Sequence, residues 1–450
     1  MNKPSPIILP EAFSRRSFLK TSSAMAGGAL LGALSAERFA HAASGSDEIK
    51  IALIGCGGRG SGAANQALST YNIGPVKLVA MADIHEDRLQ SSLSNLQKQH
   101  PDRVDVPKER QFLGFNAHRD AIALADVVIL STPPGFRPGH FEAAVAAGKN
   151  IFMEKPVASD AAGVRQVLAA AEEAKKKNLK IGVGLQRHHQ AGYIETMKRL
   201  HDGAIGDIVS MRAYWNGQRP WQKKRADLEK IYGRPLTEME YQLRNWYYFT
   251  WIGGDHIVEQ HIHNIDVINW LKGGHPVKAR AMGGREINHG GSDDGEIFDH
   301  FAVQYEYEDG SISFSECRHQ PGCWNAVSEF AQGTKGRVDI SGHKITNDDP
   351  WRYKAEGAKD PYQQEHDDLF TAIRQNKDYS EVVYGAESTM TAILGRMAAY
   401  SGKELEYSKA LASKIELLPQ VIGWDAKPRH LPGPDGLYQR AVPGQTDVLG

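Results

Sequence analysis

Short apolar runs alternate with helical patterns in the first half of the chain. The runs at residues 48–54, 76–83, 125–131 and 150–153 have the length and composition of buried strands. Alternation of such strands with helices predicts an α/β domain built on a parallel sheet. We place this domain at residues 48–182.

The second half of the chain is richer in strands. Apolar and polar residues alternate through Phe301, Val303, Tyr305 and Tyr307, which predicts a strand with one covered face. Asp309-Gly310 is typical of a hairpin turn. Two hairpins are therefore predicted, at residues 301–315 and 326–340. Two later helices are predicted at residues 363–375 and 386–400. They define an α+β domain at residues 183–404, followed by a Pro- and Gly-rich extension at 405–450 that we expect to be an extended arm.

A glycine motif follows the first apolar run and precedes a helical pattern. Its residues are Gly55, Gly57, Gly58, Arg59 and Gly60. In this strand–G-x-G-x-x-G–helix arrangement, backbone N–H groups at the helix N-terminus bind a pyrophosphate. Asp83 ends the second run at the position expected to bind the ribose of a dinucleotide. A carboxylate there repels a 2′-phosphate, which favours NAD over NADP.

Two further strand ends carry candidate chemistry. Thr132-Pro133 follows the run 125–131, where the loop is predicted to cross the nicotinamide. Glu154-Lys155-Pro156 follows the run 150–153, and open α/β sheets bind ligands at this edge. Because Pro156 restricts the turn, Lys155 is predicted to project into the site and donate to a substrate oxygen.

The stretch 253–266 is predicted to form one helix after a Gly-Gly turn. On such a helix Glu259, His263 and Asp266 share one face. No lysine or arginine follows until Lys272, so the acids lack the usual surface partners. Converging carboxylates and an imidazole indicate proton transfer or metal binding.

Composition and charge narrow the class of partner. The chain has 450 residues, with 53 Lys plus Arg against 54 Asp plus Glu. Such a balance leaves no net field to hold nucleic acid or an anionic membrane. We therefore expect a small-molecule partner.

The N-terminus carries the features of an export signal. Arg15-Arg16 precedes a small apolar run, and Ala40-His41-Ala42 offers a cleavage site. The run is too short to span a bilayer. The segment 1–42 resembles a twin-arginine signal, which implies that a folded protein is exported to the periplasm, commonly with its cofactor already bound.

The order of the motifs resembles that of the Gfo/Idh/MocA oxidoreductases. The shared features are the glycine motif, Asp83, Thr132-Pro133-Pro134 followed by His140, Glu154-Lys155-Pro156 and the stretch 253–266. The resemblance runs from about residue 48 to about residue 403. It implies a Rossmann domain, a second domain with an open, mostly antiparallel sheet, a sugar or polyol substrate and a homo-oligomer.

The resemblance also assigns roles to individual residues. Lys155 and His263 take the catalytic positions, with Glu259 and Asp266 as the acids on the same helix. Glu259 replaces the usual aspartate, and His261 replaces a glycine. The predicted cofactor-binding residues are Gly55, Gly57, Gly58, Arg59, Gly60, Asp83, Thr132, Pro133, His140, Glu154, Lys155 and Gln186. The two tryptophans among the predicted substrate-binding residues are chosen because aromatic faces suit a sugar ring. The full set is Lys155, Arg187, Trp246, Trp251, Asp255, His256 and His263.

These observations predict an NAD-dependent oxidoreductase that acts on a secondary hydroxyl of a sugar or glycoside. Free NAD is scarce outside the cytoplasm, so a tightly bound cofactor is expected. A redox-neutral NAD-dependent glycosidase is the alternative enzyme, with His256 or His261 as its additional base. A non-catalytic sugar-binding protein and a metal hydrolase are less favoured, and we predict no metal site. Cys317 and Cys323 are close enough in sequence to pair or to remain free.

Overall fold

The computed structural model describes residues 47–286, 291–355 and 357–450. The predicted signal segment at 1–42 lies outside the described residues. Two sheets and the helices around them form the described chain, and none of these helices is both long enough and apolar enough to cross a membrane.

The first sheet has six parallel strands in the order β3-β2-β1-β4-β5-β6. Their bounds are β1 Ile49–Ile54, β2 Val76–Asp83, β3 Gln111–Leu113, β4 Val127–Leu130, β5 Asn150–Met153 and β6 Ile181–Val183. The chain order reverses between β1 and β4, which creates the crevice where doubly wound sheets bind ligands. The Rossmann domain predicted from the sequence is confirmed.

Five helices cover this sheet. They are α1 Gly58–Leu68, α2 Glu86–Gln99, α3 Ala117–Ala123, α4 Arg137–Ala146 and α5 Ala161–Lys176. All four residues of β4 are buried, because helices cover both faces of the sheet. Such two-sided burial is why these strands are continuous apolar runs in the sequence.

The second sheet has nine strands in the order β14-β13-β12-β11-β7-β10-β9-β8-β15. Their bounds are β7 Ile208–Gly217, β8 Lys278–Gly284, β9 His300–Glu306, β10 Ile312–His319, β11 Ala326–Gly333, β12 Arg337–Asp339, β13 Lys344–Thr346, β14 Trp351–Arg352 and β15 Leu405–Glu406. Among the described strands of this sheet, only β7 and β10 pair in parallel. The predicted open, mostly antiparallel sheet and both predicted hairpins, β9–β10 and β11–β12, are confirmed.

The remaining helices follow β6 in the chain. They are α6 Ala191–His201, α7 Arg225–Tyr232, α8 Glu238–Arg244, α9 Thr250–Gly253, α10 His256–Glu259, α11 Ile262–Lys272, α12 Pro361–Gln375, α13 Val382–Ser401 and α14 Tyr407–Leu411. Leu369 and Phe370 of α12 pack into the Rossmann core beside Leu53. Helix α13 is buried along most of its length and packs against α5 and β8. The two helices predicted near residues 363–400 therefore return to the first domain.

The C-terminal extension folds back on its own chain. The Leu417 amide donates to Asp160 at 2.6 Å, and Tyr438 is buried against Phe249. The extension begins with β15 and α14, and no helix follows Leu411 in the described residues. The three cysteines are free, with Cys56 and Cys317 buried and Cys323 exposed.

Candidate active site

A cavity of about 640 Å³ opens at the carboxyl ends of the parallel strands. The glycine motif and Asp83 line one end of it, and Lys155, Glu259 and His263 line the other. Residues that are distant in sequence meet here because β1, β2, β4 and β5 all end at the same edge.

The glycine motif has the geometry of a phosphate cradle. Gly55 has φ +92°, and a Cβ there would lie 2.6 Å from the Thr132 amide nitrogen. A Cβ on Gly60 would lie 2.0 Å from the Gly55 carbonyl oxygen, so neither position accepts a side chain. Gly58 faces open space at the N-terminus of α1. These features fit the pyrophosphate of a dinucleotide.

Asp83 is held at the end of β2 by two backbone donors. The Cys56 amide lies 2.6 Å from one carboxylate oxygen, and the His85 amide lies 2.8 Å from the other. Burial raises the pKa of Asp83, while these amides and the nearby Arg88 oppose that rise. Its position fits a carboxylate that binds ribose hydroxyls.

Arg59 supports the acid that precedes Lys155. Its Nε donates to Glu154 at 2.5 Å, and its guanidinium lies 3.7 Å from Glu365 and over the ring of Tyr362. Burial and the neighbouring Glu154 raise the pKa of Glu365 well above its ordinary value. The buried Glu154 is thus fixed by Arg59 and does not pair with the adjacent lysine.

The loop after β4 is also fixed. Arg137 is buried and donates to the carbonyl oxygens of Pro156 and Thr132. Thr132 Oγ1 lies 3.1 Å from His140 Nδ1, and Pro133 lines the cavity with both of these residues. Gln186, a predicted cofactor ligand, instead donates to Tyr362 at 3.1 Å and does not reach the cavity surface.

Lys155 lies next to Glu259 at the substrate end of the cavity. Its Nζ donates to the Glu259 backbone carbonyl at 2.6 Å and lies 3.2 Å from the Glu259 carboxylate. Both side chains are mostly buried, with exposed fractions of 14% and 18%. The two acceptors orient the ammonium group.

His263 is neutral in this environment. Burial, and then the positive charges of Lys155, Arg187 and Arg59, hold the pKa of His263 well below its ordinary value. Its Nδ1 is buried and has no hydrogen-bond partner among the described residues, and Trp215 stacks on the ring at 5.9 Å. A neutral imidazole at the cavity wall can accept a proton.

The prediction of a single helix at 253–266 was wrong. Helices α10 and α11 are separated at Gln260, where the His261 amide bonds the His256 carbonyl five residues back. This π-type turn adds a residue and rotates the following helix. Asp266 consequently points away from the cavity and accepts from His188 and Ser388, each at 2.8 Å. It does not share a face with Glu259, and its predicted catalytic role is corrected to a structural one.

Four of the predicted substrate-binding residues do not line the cavity. Trp251, Asp255 and His256 are fully buried. Asp255 accepts from His256 Nδ1 at 2.9 Å and from the Tyr400 hydroxyl at 2.6 Å. Arg187 is bound to the buried Glu329. The charged groups Asp255 and Arg187 are thus paired inside the protein, where an unpaired charge would be costly.

The candidates for an additional base are also remote. His256 lies behind the wall with Asp255, and His261 contacts Ser315 Oγ at 2.6 Å and is fully buried. No group of three or more His, Cys, Asp or Glu side chains among residues 47–286, 291–355 and 357–450 is arranged to hold a metal ion. The metal-hydrolase alternative therefore finds no support in the described chain.

Trp246, a predicted substrate ligand, lines the cavity. It is joined there by Trp221, Tyr247, Gln260 and Arg88, which were not among the predicted ligands. The aromatic composition of residues 218–251 was the available signal for the first two. No local pattern distinguishes Gln260, whose exposure to the cavity depends on the break between α10 and α11.

The fold and the cavity define a two-domain, dinucleotide-binding class of protein. Residues 49–183 match the family model described as "Oxidoreductase family, NAD-binding Rossmann fold". Residues 193–344 match the "GFO/IDH/MocA C-terminal domain". The chain belongs to the Gfo/Idh/MocA oxidoreductase family, and the resemblance found in the sequence is confirmed.

Individual relatives are distant. An inositol 2-dehydrogenase of Gluconacetobacter diazotrophicus is 27% identical over 234 residues, which are 52% of this chain and 57% of that enzyme. The match thus spans little more than half of the relative's length. Its activity is a property of that enzyme.

Solved structures share the fold. The aldose-aldose oxidoreductase from Caulobacter crescentus, complexed with glycerol, is 18% identical with a TM-score of 0.61 over 80% of this chain and 99% of that one. A levoglucosan dehydrogenase in complex with NADH and levoglucosan is 17% identical with a TM-score of 0.62 over 80% of this chain and 100% of that one. At these identities the likeness establishes the fold alone.

Proposed function

We propose that the protein is an NAD-dependent oxidoreductase that oxidises a secondary hydroxyl of a sugar, polyol or glycoside. The observation that carries this proposal is the continuous cavity, which joins the glycine cradle to Lys155, Glu259 and His263. When bound, NAD⁺ supplies the acceptor for the hydride that leaves the hydroxyl-bearing carbon. The relatives that act on inositol and levoglucosan support this class of substrate.

The residues at the substrate end bind the sugar and transfer the hydroxyl proton. Lys155 Nζ, oriented by Glu259, donates to the oxygen of the reacting hydroxyl. His263 takes the hydroxyl proton on Nε2, because its Nδ1 is buried. Trp221 and Trp246 cover the apolar face of the sugar. In the reverse direction His263 returns the proton to the oxygen.

The nucleotide is proposed to stay bound between turnovers. Residues 218–251 and the C-terminal extension form what we call the cover, and Trp221, Leu243 and Trp246 of the cover line the cavity. Arg244 of the cover makes two hydrogen bonds to Asp87 of α2, at 2.7 and 2.9 Å. Trp424 packs on Phe115 with a ring distance of 5.0 Å, and its carbonyl accepts from Thr237 at 2.9 Å. Release of a nucleotide would require this cover to open.

Asp83 at the ribose position supports NAD as the cofactor in preference to NADP. A redox-neutral glycosidase would need an additional base in the cavity, and neither His256 nor His261 is there. We therefore propose the dehydrogenase, with the glycosidase as an outcome of its test.

Location and assembly complete the proposal. Arg15-Arg16 and the apolar run that follows support export by the twin-arginine route to the periplasm. The outer face of the second sheet exposes Met282 and Phe314, by 77% and 46%, and Trp324 of the β10–β11 loop, 61% exposed, packs on Tyr214 of β7. Apolar groups exposed together on one face support a homo-oligomer.

The test begins with protein purified without added nucleotide. It is denatured, and the released compound is identified by mass. We expect NAD(H) in a near-stoichiometric amount, and reduction of the bound nucleotide when myo-inositol, levoglucosan or a methyl glycoside is added. Reduction that reverses as free sugar appears would establish the glycosidase. Protein that contains no nucleotide and binds none would overturn the proposal.

A further inference from the structure

Gln260 occupies the turn between α10 and α11 and lines the cavity beside Glu259. Because the backbone breaks there, its side chain is turned toward the substrate end while the neighbouring His261 is turned into the core. A half-buried amide with no role in binding the nucleotide or moving the proton is available to recognise the substrate.

The orientation of this amide is set by His319, the last residue of β10. His319 Nε2 lies 2.8 Å from Gln260 Oε1 and 3.4 Å from the Tyr247 hydroxyl. The oxygen of an amide can only accept a hydrogen bond. In this arrangement His319 carries its proton on Nε2 and donates it to Gln260 Oε1, which leaves the Gln260 NH₂ group to face the cavity.

The surroundings of His319 keep it in this state. Burial, and then the neighbouring His256 and Arg219, hold the pKa of His319 well below its ordinary value, so that the ring carries one proton. The ring is 2% exposed and lies 4.1 Å from the ring of His256. Asp255 in turn fixes His256 through Nδ1 at 2.9 Å.

We propose that Gln260 is a specificity-determining residue that donates its amide N–H to an oxygen of the sugar other than the one oxidised, and that His319 is the residue that positions it. This inference rests on the proposed function. Trp221 and Trp246, which also line the cavity, contact the apolar face of the ring without regard to the placement of its hydroxyls. Gln260 therefore supplies discrimination, because a directed donor penalises a sugar that lacks the matching acceptor.

The first test needs no substrate. Correlation spectra of the histidine rings in ¹⁵N-labelled protein report which nitrogen carries the proton, and His319→Gln assigns the signal. A proton on Nε2 is expected. A proton on Nδ1 would overturn the proposal, since Nε2 would then accept from Tyr247 and the Gln260 amide would be reversed.

The second test measures coupling between the residue and the sugar. Methyl glucoside and its monodeoxy derivatives are compared as ligands of the nucleotide-loaded wild type and of Gln260→Met, by quenching of tryptophan fluorescence and by reduction of the nucleotide. In the wild type, one deoxy derivative should bind at least tenfold more weakly than its parent. In Gln260→Met the parent should weaken to match that derivative, with kcat changed by less than about threefold. Equal discrimination in the two proteins would contradict the proposal.

Variants of His319 separate positioning from a general structural effect. His319→Phe keeps the ring and should raise KM as Gln260→Met does. His319→Gln can place an N–H near the position of Nε2 and should restore most of the affinity. Gln332→Met is the matched control, because the Gln332 amide bonds only the carbonyls of the Gly333–Gly336 turn. If none of the proteins contains or binds nucleotide, the proposed function fails, whereas the ring spectra still decide the orientation of Gln260.

Discussion

Lys155 Nζ donates to the backbone carbonyl of Glu259 at 2.6 Å and lies 3.2 Å from its carboxylate. The carbonyl is free to accept because the helix breaks after Glu259, and the His263 amide, which would bond it in a continuous helix, instead bonds Gln260 at 3.4 Å. Glu259 therefore orients the ammonium group through two acceptors. Its backbone carbonyl remains available as an acceptor when the side chain is replaced.

This relationship predicts different results at its two ends. Lys155→Met should lower kcat by about 10³-fold or more, because no other cation of the described chain occupies that point of the cavity. Glu259→Gln should lower it by only about 10-fold, because the backbone carbonyl still holds Lys155. Both proteins should retain nucleotide, measured by mass after denaturation. Lys176→Met, on the exposed surface of α5, is the control, and equal losses in the two active-site variants would contradict the assignment.

The environment of His263 predicts the acid side of the pH profile. Protonation of His263 removes the base, and its pKa is held below the ordinary value of about 6.5. The rate should therefore persist at pH 6.5 and decline only at lower pH, measured as kcat/KM for sugar oxidation. His263→Asn should remove this limb along with most of the activity. A decline centred above pH 7 would show that another group acts as the base.

The cover predicts slow exchange of the nucleotide. Arg244→Ala should speed release of NAD at least tenfold, followed by competition with a fluorescent nucleotide analogue, while the free energy of unfolding falls by only about 0–1 kcal/mol. Asp87→Asn should act in the same direction. The control is Arg234→Ala, since Arg234 pairs with Glu240 inside the cover at 2.6 Å and does not reach α2. Unchanged release in the first two variants would contradict a closing role for the cover.

His189 predicts how stability depends on pH. Burial alone would lower its pKa, but hydrogen bonds to Asp368 and Glu381, with Glu365 nearby, raise the pKa of His189 to about 10. The unfolded value is about 6.5, so the stabilisation is complete below pH 6.5 and is lost as the pH rises through 10. His189→Gln should flatten this part of the curve by a few kcal/mol, measured by urea unfolding between pH 6 and 10. A wild-type curve with the same slope as the variant would exclude the effect.

The exposed apolar face of the second sheet predicts self-association. Phe314→Glu should shift the sedimentation coefficient to that of a smaller species, because a carboxylate would be buried without a partner in an interface. Thr346→Glu, on β13 beside the edge strand β14, is the control. A wild-type protein that sediments as a monomer would contradict the proposed oligomer.

The local sequence determined the elements and the nucleotide end of the site. Strands buried on both faces must be apolar throughout, and Gly55 and Gly60 have no room for a Cβ. Both features can therefore be recognised from the residue types alone. Lys155 was identified for the same reason, since its place follows directly from the end of β5. These features depend on neighbours in sequence and on the repeating geometry of strands and helices.

Tertiary structure decided the substrate end. Because of the π-type turn at Gln260, Asp266 does not share a face with Glu259. Asp255 and His256 are fully buried and do not line the cavity. Helical periodicity cannot anticipate one inserted residue, because each residue rotates the following face by about 100°. The same turn places Gln260 at the cavity, and His319, which is distant in sequence, orients its amide. The sequence therefore determined which groups are present, and packing between the two domains determined which of them face the substrate.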